Sequence, residues 1–243
     1  MRIVLVLEYD GSNYCGWQSQ SESCAIQDAV EKALSAIAKE DIRVVTAGRT
    51  DAGVHAFYQV VHFDTLVSRP VSAWVRGVNA FLPEDISILW AGEVSDDFHA
   101  RFSATKRHYI YRIINRRARL GLEAGRAWHV VEPLDIKAMQ EASKVLLGHH
   151  DFSSFRDTEC QAKSPMKTLE QLDIADLGSE IRITTSARSF LHHQVRIMVG
   201  TLGLVGKGKW SAKDVRAALE AKDRTKAGPT APADGLYLMR VDY

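Results

Sequence analysis

Hydrophobic spacing divides the chain into alternating strands and helices. Residues 2–10, "RIVLVLEYD", are apolar at almost every position and predict a buried strand, while "GSNYCGWQ" after it is a glycine-punctuated loop. From 26 to 38, apolar residues at 26, 29, 30, 33, 34 and 37 follow the spacing of an amphipathic helix. "DIRVVTAG" and "FYQVVHFDT" predict strands on either side of a glycine-bounded loop, 48–56. "VSAWVRGVNAFL" is helical in pattern and stops before Pro83, and "ISILWAGEV" is again a strand.

By residue 95 the order is β, α, β, β, α, β, that of a ferredoxin-like or RRM-like unit. The second half opens with "RFSATKRHYIYRIIN", where basic and apolar residues alternate from Lys106 to Ile113. This alternation puts Tyr109 and Tyr111 on one side and Lys106, His108, Ile110 and Arg112 on the other. A helix over 134–148 closed by Gly148, a loop "HHDFSSFRD", and a hairpin around Gly178 follow. Helices over 189–206 and 211–223, a turn at "PTAPADG" and a last strand "LYLMRVDY" complete it. The expected fold class is α+β: two fused halves, 1–100 and 101–243, with no clear linker. Each is a mostly antiparallel sheet with helices on one face, and the two share a central sheet.

Composition narrows the class. No apolar run approaches the ~20 residues of a membrane-spanning helix, and the start lacks the basic region and cleavage site of a secretory signal, so a soluble cytoplasmic protein is expected. Three cysteines, Cys15, Cys24 and Cys160, lack C-x-x-C spacing and read as reduced thiols rather than a disulfide framework or a zinc site. The net charge of +1 conceals an uneven distribution. Residues 1–100 carry 7 Lys+Arg against 14 Asp+Glu, 101–130 carry 8 against 1, and 131–243 carry 16 against 15, which sums to 31 and 30. The basic stretch suits a polyanion such as RNA, and equally a solvated basic strand.

The densest candidate chemistry is "AGRTDAGVHA" at 47–56, where Arg49, Thr50 and Asp51 lie between Gly48 and Gly53 just after a strand. On spacing alone, Asp51 could serve a ligand or merely accept from amides of its own turn. "GLVGKGKW" imitates a phosphate-binding loop, but Trp210 stands where a Ser or Thr would hold Mg²⁺ and a helix precedes it; Lys207 and Lys209 suit RNA phosphates better. His149-His150 and His192-His193 lack metal-ligand spacing. If His192-His193 lie on a helix, their side chains diverge by about 100°. No metal or other cofactor is expected.

"GRTDAGVHA", with "YDGSNYCGWQ", "RFSATKRHYIYRI", "FLHHQVRIMVG" and "GLYLMRVDY", resembles the tRNA pseudouridine synthase A family in order along the whole chain. The resemblance implies a pseudouridine synthase fold and a homodimer acting on uridines at positions 38–40 of the tRNA anticodon stem-loop. It also implies that Asp51 is the catalytic aspartate, that Arg49 displaces or replaces the target base, that Tyr109 packs on the uracil, and that Arg196 pairs with the carboxylate.

These roles are chemically coherent. Substrate and product are isomers, so the reaction needs no electrons, phosphate or metal; an ionised carboxylate can act as nucleophile or as base. Flipping a stacked uridine needs a group to fill the gap and a platform for the base. On the predicted helix, His192, Arg196 and Gly200 share a face, with Gly200 leaving room there. Phe57 and Tyr58 stand where the family tends to have small residues, and Gln194 and Ile197 differ from its usual pattern, which bears on target choice. A noncatalytic RNA-binding module would have no use for a buried carboxylate. A glycosidase-like hydrolase would want a second acid, and Asp10, the sole other acid near a matching motif, reads as a turn residue.

Overall fold

The structure is a computed structural model that describes residues 1–20 and 23–243. The chain forms two compact units, one of Met1–Thr105 with Tyr237–Tyr243, the other of Lys106–Leu236. The last strand thus belongs with the first unit, although it follows the second in sequence.

In the first unit, β1 (Arg2–Tyr9), α1 (Ile26–Ala38), β2 (Val45–Thr46), β3 (His55–Asp64), α2 (Val71–Asn79) and β4 (Ile86–Val94) follow in order. Strand β1 pairs antiparallel with both β3 and β4, and β2 pairs antiparallel with β3. The resulting order, β4-β1-β3-β2, is that of a ferredoxin-like unit. Ile3 to Leu7 are all buried, which explains why the first strand reads as a continuous apolar run rather than an alternating one. Helix α1 has the bounds its period predicts. Asp28 accepts from the Ala25 N–H at 3.3 Å at its start, and Lys39, at φ +60°, closes it through an N–H to the Ser35 carbonyl at 2.9 Å. Its apolar stripe, Ile26, Val30 and Leu34, is buried, as are Trp74 and Val78 of α2. The expected strand over 41–48 shrinks to two paired residues.

The second unit contains β5 (Lys106–Asn115), β6 (Trp128–Val130), α3 (Ile136–Ser143), β7 (Gly148–Asp151), β8 (Met166–Asp176), β9 (Glu180–Ala187), α4 (Gln194–Gly206) and α5 (Ala212–Ala221). Its sheet runs β5-β9-β8-β7 through antiparallel pairs, with β6 parallel to β5. The final strand, β10 (Leu236–Asp242), pairs parallel with β3 at Tyr237–His55. Tyr109 and Tyr111 are buried on one face of β5, as the alternation predicts, together with Arg107 and Ile113. Two expectations need correction. Residues 149–151, read as loop, and Gly148, read as the close of a helix that ends at Ser143, form β7 against β8, because its hydrogen bonds are long-range and leave no apolar period. Helix α4 starts at Gln194 rather than 189, because His193 is in the left-handed conformation (φ +59°).

The cysteine reading also fails in part: Cys15 and Cys24 are joined in a disulfide, with Cα atoms 5.5 Å apart, and Cys160 is free and buried. A main-chain bond from Cys15 N to Cys24 O, 3.1 Å, brings the two backbones together across the loop, a proximity that spacing alone does not reveal. Alkylation of the unfolded, unreduced protein should therefore modify one cysteine and, after reduction, three. Three modified cysteines without reduction would exclude the bridge.

His62 on β3 is buried, and its Nδ1 accepts from the Ala100 N–H at 3.1 Å. Burial, aided by the Arg2 charge and His99 and opposed by Asp64, pushes it down to about 4 from 6.5. The unfolded chain therefore takes up a proton that the folded one refuses between those values, so stability is present above pH 6.5 and is lost as pH falls towards 4. Urea midpoints across this window should drop less steeply for His62→Gln; identical slopes would assign the loss to other groups.

Candidate active site

The loop between β2 and β3 is held from below by a polar network. Thr50, buried, shares a hydrogen bond with the Tyr9 hydroxyl at 2.8 Å. Gln59 Nε2 donates to the Gly48 carbonyl at 2.8 Å and to Tyr9 at 3.3 Å. Burial pushes the Tyr9 phenol up to about 12, outweighing the lowering effect of its bonds to Thr50 and Gln59, so it stays neutral and keeps this role. Within the loop, Val54 N donates to Asp51 O at 3.1 Å, and Gly53, at φ +77°, supplies the turn that presents residue 51. Asp51 is partly exposed and Arg49 is exposed.

The "YDGSNYCGWQ" segment lies directly on this loop, joining the first two motifs. Trp17 N donates to Thr50 O at 3.0 Å, and Trp17 itself is buried. Gly11 has no room for a side chain, since a Cβ would sit 2.0 Å from Val54 O. Asp10 caps the turn by accepting from Ser12 N at 3.0 Å, the turn role expected of it. Gly16, at φ +99°, places its backbone where a Cβ would be 2.8 Å from Thr50 O and 3.1 Å from the Asp51 carbonyl carbon. Gly16→Ala should cost about 1–3 kcal/mol through overpacking, with left-handed strain added. A thermal melt should register that as a lower Tm, and an unchanged Tm would mean the loop yields freely.

In the second unit, Tyr109 packs edge-on against Phe190, ring centroids 5.3 Å apart, and so touches the segment that leads into α4. Arg196 lies in the first turn of α4. Its Nε donates to Ala231 O at 2.9 Å, while Ala231 N donates to Arg196 O at 3.0 Å. Gly200, one turn on, admits the same segment: a Cβ there would meet Pro229 O at 1.8 Å. Tyr111 adds a hydroxyl bond to Pro232 O at 2.7 Å. Residues 229–232 are therefore the seat against which Arg196 is set.

The expected stacking of His192, Arg196 and Gly200 on one helical face does not hold, because His192 precedes the helix. The same correction removes the argument that the two histidines diverge. Their rings are 3.9 Å apart, and His193 Nδ1 lies 2.7 Å from Asp157 Oδ2. Gln194 is buried with its Oε1 accepting from Leu191 N at 2.8 Å, and Ile197 is fully buried, so both serve the packing of this turn. Phe57 and Tyr58 are exposed, and Phe57 stacks on Tyr237 at 5.2 Å. Sequence reasoning missed the Tyr9-Thr50-Gln59 network, although Gln59, set directly before the apolar Val60 and Val61 of the strand, was a signal for it. It also missed the buried Arg107, whose Nη1 donates to Arg188 O at 2.7 Å, and Asp157.

A family model described as tRNA pseudouridine synthase matches residues 5–103 and 142–243. The chain belongs to the tRNA pseudouridine synthase family. Curated proteins called tRNA pseudouridine synthase A are 58% identical in Rhodopseudomonas palustris strain BisA53 and 55% identical in Afipia carboxidovorans and in Xanthobacter autotrophicus. Each alignment covers 100% of this chain and 99% of the relative. As a member of this synthase family the chain is an isomerase of uridine in tRNA. Arg49, Asp51 and Arg196 lie within the matched stretches, whereas Tyr109 lies between them, in a part covered by the full-length relatives. No helix among the described residues is long and apolar enough to cross a membrane.

Proposed function

We propose that this synthase converts uridine to pseudouridine at positions 38–40 of the tRNA anticodon stem-loop, working as a cytoplasmic homodimer. Asp51 is the catalytic carboxylate, Arg49 takes the place of the flipped base, Tyr109 stacks on the uracil, and Arg196 is the counter-ion of the carboxylate. The observation that carries this reading is the Asp51 loop, presented by Gly53 and held from beneath by Tyr9, Thr50 and Gln59, in a chain of this family.

The chemistry breaks the N1–C1′ bond, turns the uracil, forms C5–C1′ and transfers the C5 proton away as N1 regains one. Atoms and electrons balance within the nucleotide, so one carboxylate suffices, as nucleophile or as base, provided it is ionised and water is excluded from the detached uracil. The network under the loop suits that task because it holds the backbone on either side of residue 51 in place. Arg49 is exposed and has the planar cation suited to stacking and phosphate contact. The basic stretch 101–130 adds charge for the tRNA backbone.

Mapping pseudouridine in tRNA from a strain lacking the protein is the direct test. Loss confined to positions 38–40 is the expected result; loss elsewhere would redirect the substrate to another part of tRNA and implicate Phe57 and Tyr58 in target choice. Light scattering should give twice the 27.1 kDa of one chain.

A further inference from the structure

The turn that starts α4 is tied to a second loop 36 residues away in sequence. Residues 157–160 close on themselves, with Cys160 N donating to Asp157 O at 3.1 Å and Glu159 N to Asp157 Oδ1 at 3.0 Å. Three bonds then join this loop to the turn. Asp157 N donates to His192 O at 3.1 Å, His192 N to Cys160 Sγ at 3.4 Å, and the His193 ring meets Asp157 Oδ2 at 2.7 Å. His193 is at φ +59°, a conformation uncommon for any residue but glycine, although histidine adopts it more readily than most. Its carbonyl accepts from Ile197 N at 2.9 Å in the first turn of α4. Arg196 follows three residues later.

We propose that Asp157 is a positioning residue for the isomerisation: by gripping His193 it fixes where α4 begins, and so where Arg196 is aimed. The inference rests on the role of Arg196 given above. Asp157 suits the task because it is largely shielded and doubly held. Burial works to raise its carboxyl, yet the Glu159 N–H and the histidines outweigh that and keep it below the usual carboxylate range, hence ionised at neutral pH. At the other side, Arg196 Nε donates to Ala231 O and Gly200 makes room for Pro229, contacts that fit only this register of the helix start.

Single-turnover pseudouridine formation on tRNA, with Kd measured separately, tests this in Asp157→Ala, Asp157→Asn, Arg196→Ala and the Asp157→Ala/Arg196→Ala double variant. Asp157→Ala should slow the chemical step by roughly 10- to 100-fold, the scale of a ~1 Å displacement at a working group, with Kd unchanged. Asp157→Asn, which keeps an acceptor for His193, should recover most of the rate. In the Arg196→Ala background the Asp157 substitution should cost nothing further; full additivity would overturn the proposal. Should Asp157→Ala not fold, His193→Gly and His193→Ala decide. Glycine accepts the left-handed backbone, so it should be the faster of the two, whereas equal losses would overturn the positioning role. A parent protein inactive on every tRNA overturns the functional reading itself; an active parent with unimpaired Asp157→Ala overturns only this inference.

Discussion

Asp51→Asn is expected to lower pseudouridine formation by roughly four orders of magnitude, the upper end of what a single acid, base or nucleophile supplies. Asparagine has nearly the shape of aspartate but cannot ionise, so the change removes the charge and little else. The loop should survive it, because three of its supports are untouched by the change: Val54 N on Asp51 O, Trp17 N on Thr50 O, and Gln59 on Gly48 O. Affinity for tRNA should be equal or greater, since a negative group facing a polyanion has been neutralised. Release of tritium from tRNA labelled at uridine C5 reports the chemistry, and filter binding reports affinity. Turnover within tenfold of the parent would remove Asp51 from the centre of the mechanism, whereas loss of binding and of Tm together would show that the carboxylate is structural.

What the sequence disclosed follows a physical line. Helix α1 and strand β4 have the predicted bounds because their apolar residues repeat locally and their ends are marked by turn residues. The start of α4 was not legible, since "SFLHH" is compatible with helix and the bonds that hold this turn reach residues 157–160, distant in sequence. Strand β7 is defined solely by pairing with β8, and "GHHD" carries no apolar signature of it. The same division applies to the site. Asp51 stood out because glycines bracket it within ten residues, but its supports, Tyr9 41 positions from Thr50 and 50 from Gln59, come together only through β1 and β3. Cys15 and Cys24 make the point in reverse: counting cysteines tests for known frameworks and is blind to a pair closed by a local backbone contact.

Arg196→Ala should reduce turnover by roughly 10²- to 10³-fold, the loss typical when one fixed electrostatic group is taken from a reacting centre. The fold should tolerate it. The main-chain bond from Ala231 N to Arg196 O remains, Gly200 still accommodates Pro229, and Tyr111 still binds Pro232, so residues 229–232 keep their seat although the bond from Arg196 Nε to Ala231 O is lost. On the counter-ion role proposed above, removing the Arg196 charge raises the pKa of the Asp51 carboxyl. Residual activity of Arg196→Ala should therefore survive best at high pH, its acidic limb moved upwards by at least about one unit relative to the parent, or about 1.4 kcal/mol of lost interaction. Arg196→Lys should not restore the parent rate, because lysine keeps the charge but lacks the guanidinium fork that reaches Ala231 O and presents its other edge. An acidic limb that stays in place would mean that Arg196 serves binding rather than ionisation. A fully active Arg196→Ala enzyme would place the counter-ion elsewhere.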